Sequence, residues 1–170
     1  MKSVELKPVG ACAGTGGGTK VGVIADTHGL LRPQARAALA GCDLIVHAGD
    51  VGSLEVLQEL ESVAPVVAVR GNVDVQPWAS GFPENRVVEV GGALVYVLHD
   101  LERLDLDPAV AGMAAVVSGH THHAVLEERG GVLYVNPGSA GPRRLHHPLS
   151  VALLRVAGGS VVAEIVEFSA

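Results

Sequence analysis

Aromatic residues are scarce: two Phe, two Tyr and one Trp amount to 3% of 170 residues. So few rings leave little for stacking on unpaired bases, which argues against bulk nucleic-acid binding. Cysteine is nearly absent. Cys12 and Cys42 lie far apart, which excludes a disulfide scaffold and a cysteine zinc site and fits a reducing cytoplasm. Positive charge is also short: 12 basic against 18 acidic residues give a net charge of −6, a field that repels nucleic acid and anionic membranes. No apolar run reaches the roughly 18 residues of a membrane span, and the N-terminus shows no signal-peptide core. The expected location is the cytoplasm. What is plentiful is apolar residue, 48%, and glycine, 22 copies. That content excludes a disordered chain, and a chain of this length buries roughly 70% of its unfolded surface.

Residues 1–19 differ from the rest. All three lysines, Lys2, Lys7 and Lys20, fall in the first twenty positions, and every later basic residue is arginine. The run Gly14–Lys20 resembles a phosphate loop superficially. It lacks Gly before Lys20 and a preceding strand, so it fails the physical test. Residues 1–19 are expected to form a flexible Gly-rich extension, followed by one domain over residues 20–170.

From Lys20 onward, apolar runs alternate with helical patterns. Strands are expected over Val21–Ala25, Leu44–Ala48 and Val66–Val69, with helices over Pro33–Ala40 and Leu54–Leu60. Ser53 is placed to cap the second helix, whose Leu54, Leu57 and Leu60 share a face. This βαβαβ order implies parallel strands. The second half reads as hairpins. Arg86–Val90 and Ala93–Leu98 flank Gly91-Gly92, Ala124–Glu128 and Val132–Val135 flank Gly130-Gly131, and Val151–Val156 and Ser160–Phe168 flank Gly158-Gly159. A further buried strand covers Ala114–Val117. Two facing sheets with helices outside accommodate both halves.

The chemistry gathers where the buried strands end. Asp26-Thr27-His28 follows the first, Gly49-Asp50 the second, Gly71-Asn72 the third, His99 the fifth and Gly119-His120-Thr121-His122 the sixth. Ligands of open α/β sheets collect outside the carboxyl ends of strands, so seven polar side chains are expected on one rim. Four imidazoles, two carboxylates and an amide suit borderline divalent ions rather than Ca or Mg. Seven groups suit two ions. Residues two apart on an extended segment point the same way, which would aim both members of Asp-x-His and of His-x-His at the metals.

Taken in order, Asp26-Thr27-His28, Gly49-Asp50, Gly71-Asn72-Val73-Asp74, His99 and Gly119-His120-Thr121-His122 resemble the calcineurin-like metallophosphoesterase superfamily. Ala25–Gly29, Val69–Asn72, Asn136–Ser139 and the compact length are similar to its small bacterial and archaeal phosphodiesterase branch. The resemblance implies an α/β (α+β) fold, a four-layer αββα sandwich of two facing mixed sheets flanked by helices. It assigns one metal to Asp26, His28 and His122, the other to Asn72, His99 and His120, with Asp50 bridging. Asp50, Asn72 and His99 are the residues expected to carry catalysis. The implied cofactors are two divalent transition-metal ions, Mn first, with Ni, Co, Fe or Zn as alternatives. The implied reaction is hydrolysis of a small phosphodiester by a hydroxide shared between the ions.

Several positions qualify this picture. Val73 stands where many relatives carry His or Cys, and it cannot protonate a leaving group, which disfavours the protein-phosphatase branch. Asp100 follows His99 where Gly is frequent, and it opens an acidic segment with Glu102, Asp105 and Asp107. His47 fits either a core position or a supporting place behind the metals. Asp74 fits either a turn or a hydrogen bond to a metal imidazole. His123 should point away from His122. Arg143 and Arg144 suit either phosphate binding or ordinary surface charge, and His146 and His147 lie farther along that loop. Trp78 suits a shield for the rim or an interface. Two other functions remain open: a phosphomonoesterase of the same fold, and a non-catalytic scaffold for protein partners like the retromer subunit. The complete ligand set favours the enzyme. The expected partner is a small phosphodiester, without bulk nucleic acid or membrane, in a chain compatible with a homodimer or homotetramer.

Overall fold

The computed structural model describes residues 18–144 and 146–170. The N-terminal extension up to residue 17, with Cys12, therefore lies outside the described residues. β1 begins at Thr19, inside the stretch assigned to that extension, where Thr19 pairs with Val156.

Two mixed sheets of five strands face each other. The first is ordered β10-β9-β1-β2-β3, from β1 (Thr19–Ile24), β2 (Leu44–His47), β3 (Val66–Ala68), β9 (Leu149–Ala157) and β10 (Ser160–Phe168). The second is ordered β4-β5-β6-β8-β7, from β4 (Asn85–Val90), β5 (Ala93–Leu98), β6 (Ala115–Val117), β7 (Ala124–Arg129) and β8 (Val132–Pro137). β1, β2 and β3 run parallel, as the βαβαβ reading requires. The Gly-Gly pairs each turn a hairpin with positive φ at both residues, the geometry whose twist matches paired strands. The last hairpin, β9–β10, crosses back to the first sheet and pairs antiparallel with β1. β5, β6 and β8 are mutually parallel, an arrangement that hairpin signals do not announce.

Strand alternation divides the core. Val21 and Val23 join Leu44, Val46, Val95, Val97 and Val117 between the sheets. Ile24, Ile45 and Ala68 point the other way, onto helices α1 (Pro33–Ala38) and α2 (Leu54–Glu61). On the second sheet, Tyr96, Leu98 and Val116 are covered by Leu101, Leu104, Leu106 and Met113, so a 3-10 turn and loop occupy the layer outside it. Two details of α2 differ from the sequence reading. Ser53 occupies the cap position without a side-chain capping bond, and Leu54 is exposed while Val56 is buried with Leu57 and Leu60. The helix therefore presents Val56, Leu57 and Leu60 to the sheet. Trp78 packs partly buried against the helix-side core, edge-on to Phe82 at 6.3 Å, rather than over the rim.

Candidate metal centre

The carboxyl ends of β1, β2, β3, β5 and β6 meet at one rim, and hydrogen bonds lock their loops together. Asp26 N–H donates to the Gly49 carbonyl at 3.1 Å and His28 N–H to the Asp50 carbonyl at 3.0 Å. Within the second sheet, Gly119 N–H donates to the His99 carbonyl at 2.9 Å. Gly71 packs so tightly on Asp50 that a Cβ there would overlap the carboxylate and its backbone nitrogen, so only glycine fits.

Two groups of metal-competent side chains result, Asp26/His28/His122 and Asp50/His99/His120, each with ligand atoms within 4.8 Å of one another. They adjoin. His99 Nε2 lies 3.2 Å from Asp50 Oδ2 and 3.9 Å from Asp26 Oδ1, and His28 Nε2 lies 3.8 Å from Asp50 Oδ2. His122 Nε2 is 3.5 Å from Asp26 Oδ1. Asn72 sits exposed on the turn after β3 and lines a cleft of about 530 Å3 together with His99. Asp26, Asp50, His99 and His122 are buried, His28 is half-buried and His120 is exposed.

The backbone at this rim is not extended, contrary to the expectation for Asp-x-His and His-x-His. Asp26, His28, Asp50, His120 and His122 all have φ between 45° and 71°. Such left-handed geometry in non-glycine residues costs of order 1–3 kcal/mol each. Tight turning of the strand ends imposes it: His120 N–H donates to Asp26 Oδ2 at 3.2 Å, and Thr121 N–H returns to the Gly119 carbonyl at 2.8 Å.

Donor orientation fits divalent ions. The Nδ1–H of His99 donates to the Ala48 carbonyl at 2.8 Å, which turns Nε2 toward the centre. One oxygen of each carboxylate is anchored, Asp26 Oδ2 by His120 N–H and Asp50 Oδ1 by Val73 N–H at 3.1 Å. Among the described residues, the buried atoms Asp26 Oδ1, His28 Nε2 and His99 Nε2 have no hydrogen-bond partner. Buried polar atoms rarely stay unpaired, and these three converge where a cation would satisfy them. Burial pushes the Asp26 carboxyl up to about 7, with the Asp50 charge adding to it and His99 opposing. Burial opposes ionisation of Asp50, but His99, the Val73 N–H and His28 outweigh it and hold the group below its ordinary value. Burial, with Arg144, pushes His122 down to about 4, and burial likewise lowers His28.

The supporting residues resolve the open alternatives. Asp74 makes no hydrogen bond to an imidazole among the described residues. Its carboxylate accepts from the N–H groups of Val51, Gly52 and Gly71 at 2.8–3.1 Å, tying the β2 and β3 loops together. His47 is fully buried and bonds Thr27 and Gly49. In the sequence, Asn136 stands out only as part of a family-like motif. It donates to the Gly119 carbonyl at 2.9 Å and to Thr121 Oγ1 at 3.1 Å, so it holds the His-x-His loop from below. A polar residue ending a buried strand before Pro-Gly was the only signal for that role. His123 turns outward and packs edge-on against His147 at 3.9 Å. Arg143, Arg144 and His147 line a second cleft beside His120 and His122.

Two facing mixed sheets carrying paired three-ligand groups on one rim define a metal-binding phosphoesterase-type scaffold. A match to the calcineurin-like phosphoesterase superfamily domain spans residues 19–159, and the chain belongs to that superfamily. It is 36% identical over 162 residues to a probable metallophosphoesterase of Methanothermobacter thermautotrophicus, covering 88% of this chain and 93% of that protein. It is 31% identical over 138 residues to a phosphodiesterase of Methanocaldococcus jannaschii, covering 70% and 82% respectively. A solved structure of an archaeal phosphodiesterase shares the fold, with a TM-score of 0.74 at 23% identity over 87% of this chain and all of that one. Among the described residues, no helix is long and apolar enough to cross a membrane.

Proposed function

We propose that this chain is a metal-dependent phosphodiesterase acting on a small phosphodiester in the cytoplasm. The observation that carries the reading is the convergence of the unpartnered buried atoms Asp26 Oδ1, His28 Nε2 and His99 Nε2 between two adjoining ligand groups. Asp26, His28 and His122 would hold one ion and Asn72, His99 and His120 the other, with Asp50 shared. When bound, such ions lower the pKa of water and neutralise charge on a phosphoryl group.

The chain's own residues do the rest. Asp50 and Asp26 keep one oxygen each free by anchoring the other to backbone N–H groups. His99 is fixed in orientation by the Ala48 carbonyl. Asn72 and His99 open onto the cleft and would meet the substrate phosphate there. Val73 puts an exposed aliphatic group where an acid would help a leaving group depart. That supports diesters with good leaving groups, in line with the phosphodiesterase names among the relatives.

The test is a screen of phosphodiesters and phosphomonoesters on chelated protein reloaded with Mn, Ni, Co, Fe or Zn. Hydrolysis of diesters that chelation abolishes and a transition ion restores is the expected result. Hydrolysis that survives exhaustive chelation contradicts the reading.

A further inference from the structure

Two clefts of opposite character flank the metal centre. The cleft on the Asn72 side is lined by Glu84, Asp100 and Asp105 as well as Arg70 and Arg103, and Arg70 lies 3.6 Å from Glu84. The other, about 470 Å3, is lined by His120, Thr121, His122, Arg143, Arg144 and His147. It contains no carboxylate.

Arg143 and Arg144 are exposed, and neither has a carboxylate within 4 Å among the described residues. A cationic wall of this kind in a chain of net charge −6 has no internal partner to explain it. Its position is also determined. The arginines follow the Asn136–Ser139 segment, whose Ser139 hydroxyl donates to the Asp26 carbonyl at 3.2 Å and whose neighbour Ala140 donates to the Ala25 carbonyl. The loop is therefore pinned to the metal rim, with Arg144 in the same cleft as the ligands His120 and His122. His147 is braced edge-on by His123. Arg143 also borders a neighbouring groove with Glu167, which makes Arg144 the principal anion contact.

We infer that the Arg143/Arg144 cleft is an anion subsite that takes a second phosphate of the substrate, so that the preferred diester carries a phosphate beyond the one hydrolysed. The inference rests on the phosphodiesterase reading and gives the substrate a direction. The phosphorylated substituent lies toward Arg144, and the uncharged one lies along the acid-rich cleft beside Asn72. A guanidinium fork suits a phosphate through paired N–H donors, which lysine cannot reproduce.

The first experiment is calorimetric binding of pyrophosphate to the metal-free protein. Arg144→Ala should weaken binding at least about tenfold, the size of a lost charge-assisted contact, and Arg144→Lys should recover only part of it. Equal affinity in the unmodified and Arg144→Ala proteins overturns the inference. The second uses metal-loaded enzyme on the p-nitrophenyl ester of thymidine 5′-phosphate, with and without a 3′-phosphate. The 3′-phosphorylated ester should be preferred in kcat/KM, and Arg144→Ala should collapse that preference. Equal losses on both esters also overturn the inference, because they would place Arg144 on the reacting phosphate. If neither ester is hydrolysed while the pyrophosphate result holds, the subsite stands and the phosphodiesterase reading fails.

Discussion

The buried His47 ring lies 2.9 Å from the Thr27 hydroxyl, between the two loops that carry Asp26 and Asp50. The direction of this bond is determined. Thr27 spends its single hydroxyl proton on the Val51 carbonyl at 2.8 Å, so His47 Nε2–H must donate. Gly49 N–H donates to Nδ1 at 3.2 Å, which completes a neutral ring. Burial accordingly pushes the His47 pKa down to about 3. With a folded pKa below the ordinary 6.5, His47 contributes stability that is full above pH 6.5 and is lost as pH falls from there toward 3. His47→Gln should flatten this part of the acid-stability profile of the metal-free protein. It should cost roughly 1–3 kcal/mol at pH 7 through the bonds it disturbs. Urea unfolding at pH 7, 5.5 and 4.5 measures both effects.

Asp26 has the opposite sign. Its carboxyl is raised to about 7 in the metal-free protein, so ionising it works against the fold as pH rises from its ordinary 3.8 through 7. Asp26→Asn should therefore stabilise the metal-free chain by roughly 1–3 kcal/mol at pH 8, and far less at pH 4. The same change should remove the rise in Tm that metal addition gives the unmodified protein. Thermal scans with and without metal at the two pH values check the pattern. Destabilisation at pH 8 would contradict it.

Gly71→Ala places a methyl against the Asp50 carboxylate. Overpacking of this kind typically costs 1–3 kcal/mol, and here the displaced group is a proposed ligand. Metal affinity should fall more than fold stability does. Titration with Mn followed by fluorescence or calorimetry, alongside urea unfolding, separates the two.

Val73→His tests leaving-group departure. Val73 is exposed, and its N–H rather than its side chain anchors Asp50, so the exchange should leave that anchor in place. General acid help is typically worth about 10²–10⁴-fold. The unmodified enzyme should depend steeply on leaving-group pKa, and the variant less so. A diester series graded by leaving-group pKa measures the slope. A shallow slope in the unmodified enzyme would show that a proton donor already serves the site.

The rim was legible in the sequence because each ligand follows a buried apolar run, and parallel strands bring their carboxyl ends together. The apolar runs of β1, β2, β5 and β6 therefore located Asp26, Asp50, His99 and His120. Local patterns could not show the left-handed backbone at those ligands, which comes from turns packed across two sheets. Nor could they show that β9 pairs with β1, a contact between chain ends distant in sequence. Leu54 faced solvent although it kept helical spacing, because Val56 lay nearer the sheet. Asp74, His47 and Asn136 bond groups on other loops, so their roles appear only once those loops meet. For Arg143 and Arg144 the sequence leaves both phosphate binding and surface charge open, because only the folded loop puts them in a cleft beside His120.

The proposed chemistry requires two ions held together through Asp50. Metal-to-protein ratios after Mn loading and gel filtration, measured by plasma mass spectrometry beside diester hydrolysis, test this directly. The unmodified protein should retain about two ions per chain, whereas Asp50→Asn should lose both ions and its activity together. Retention of two ions and full activity in Asp50→Asn, or hydrolysis by unmodified protein that holds none, would contradict the account.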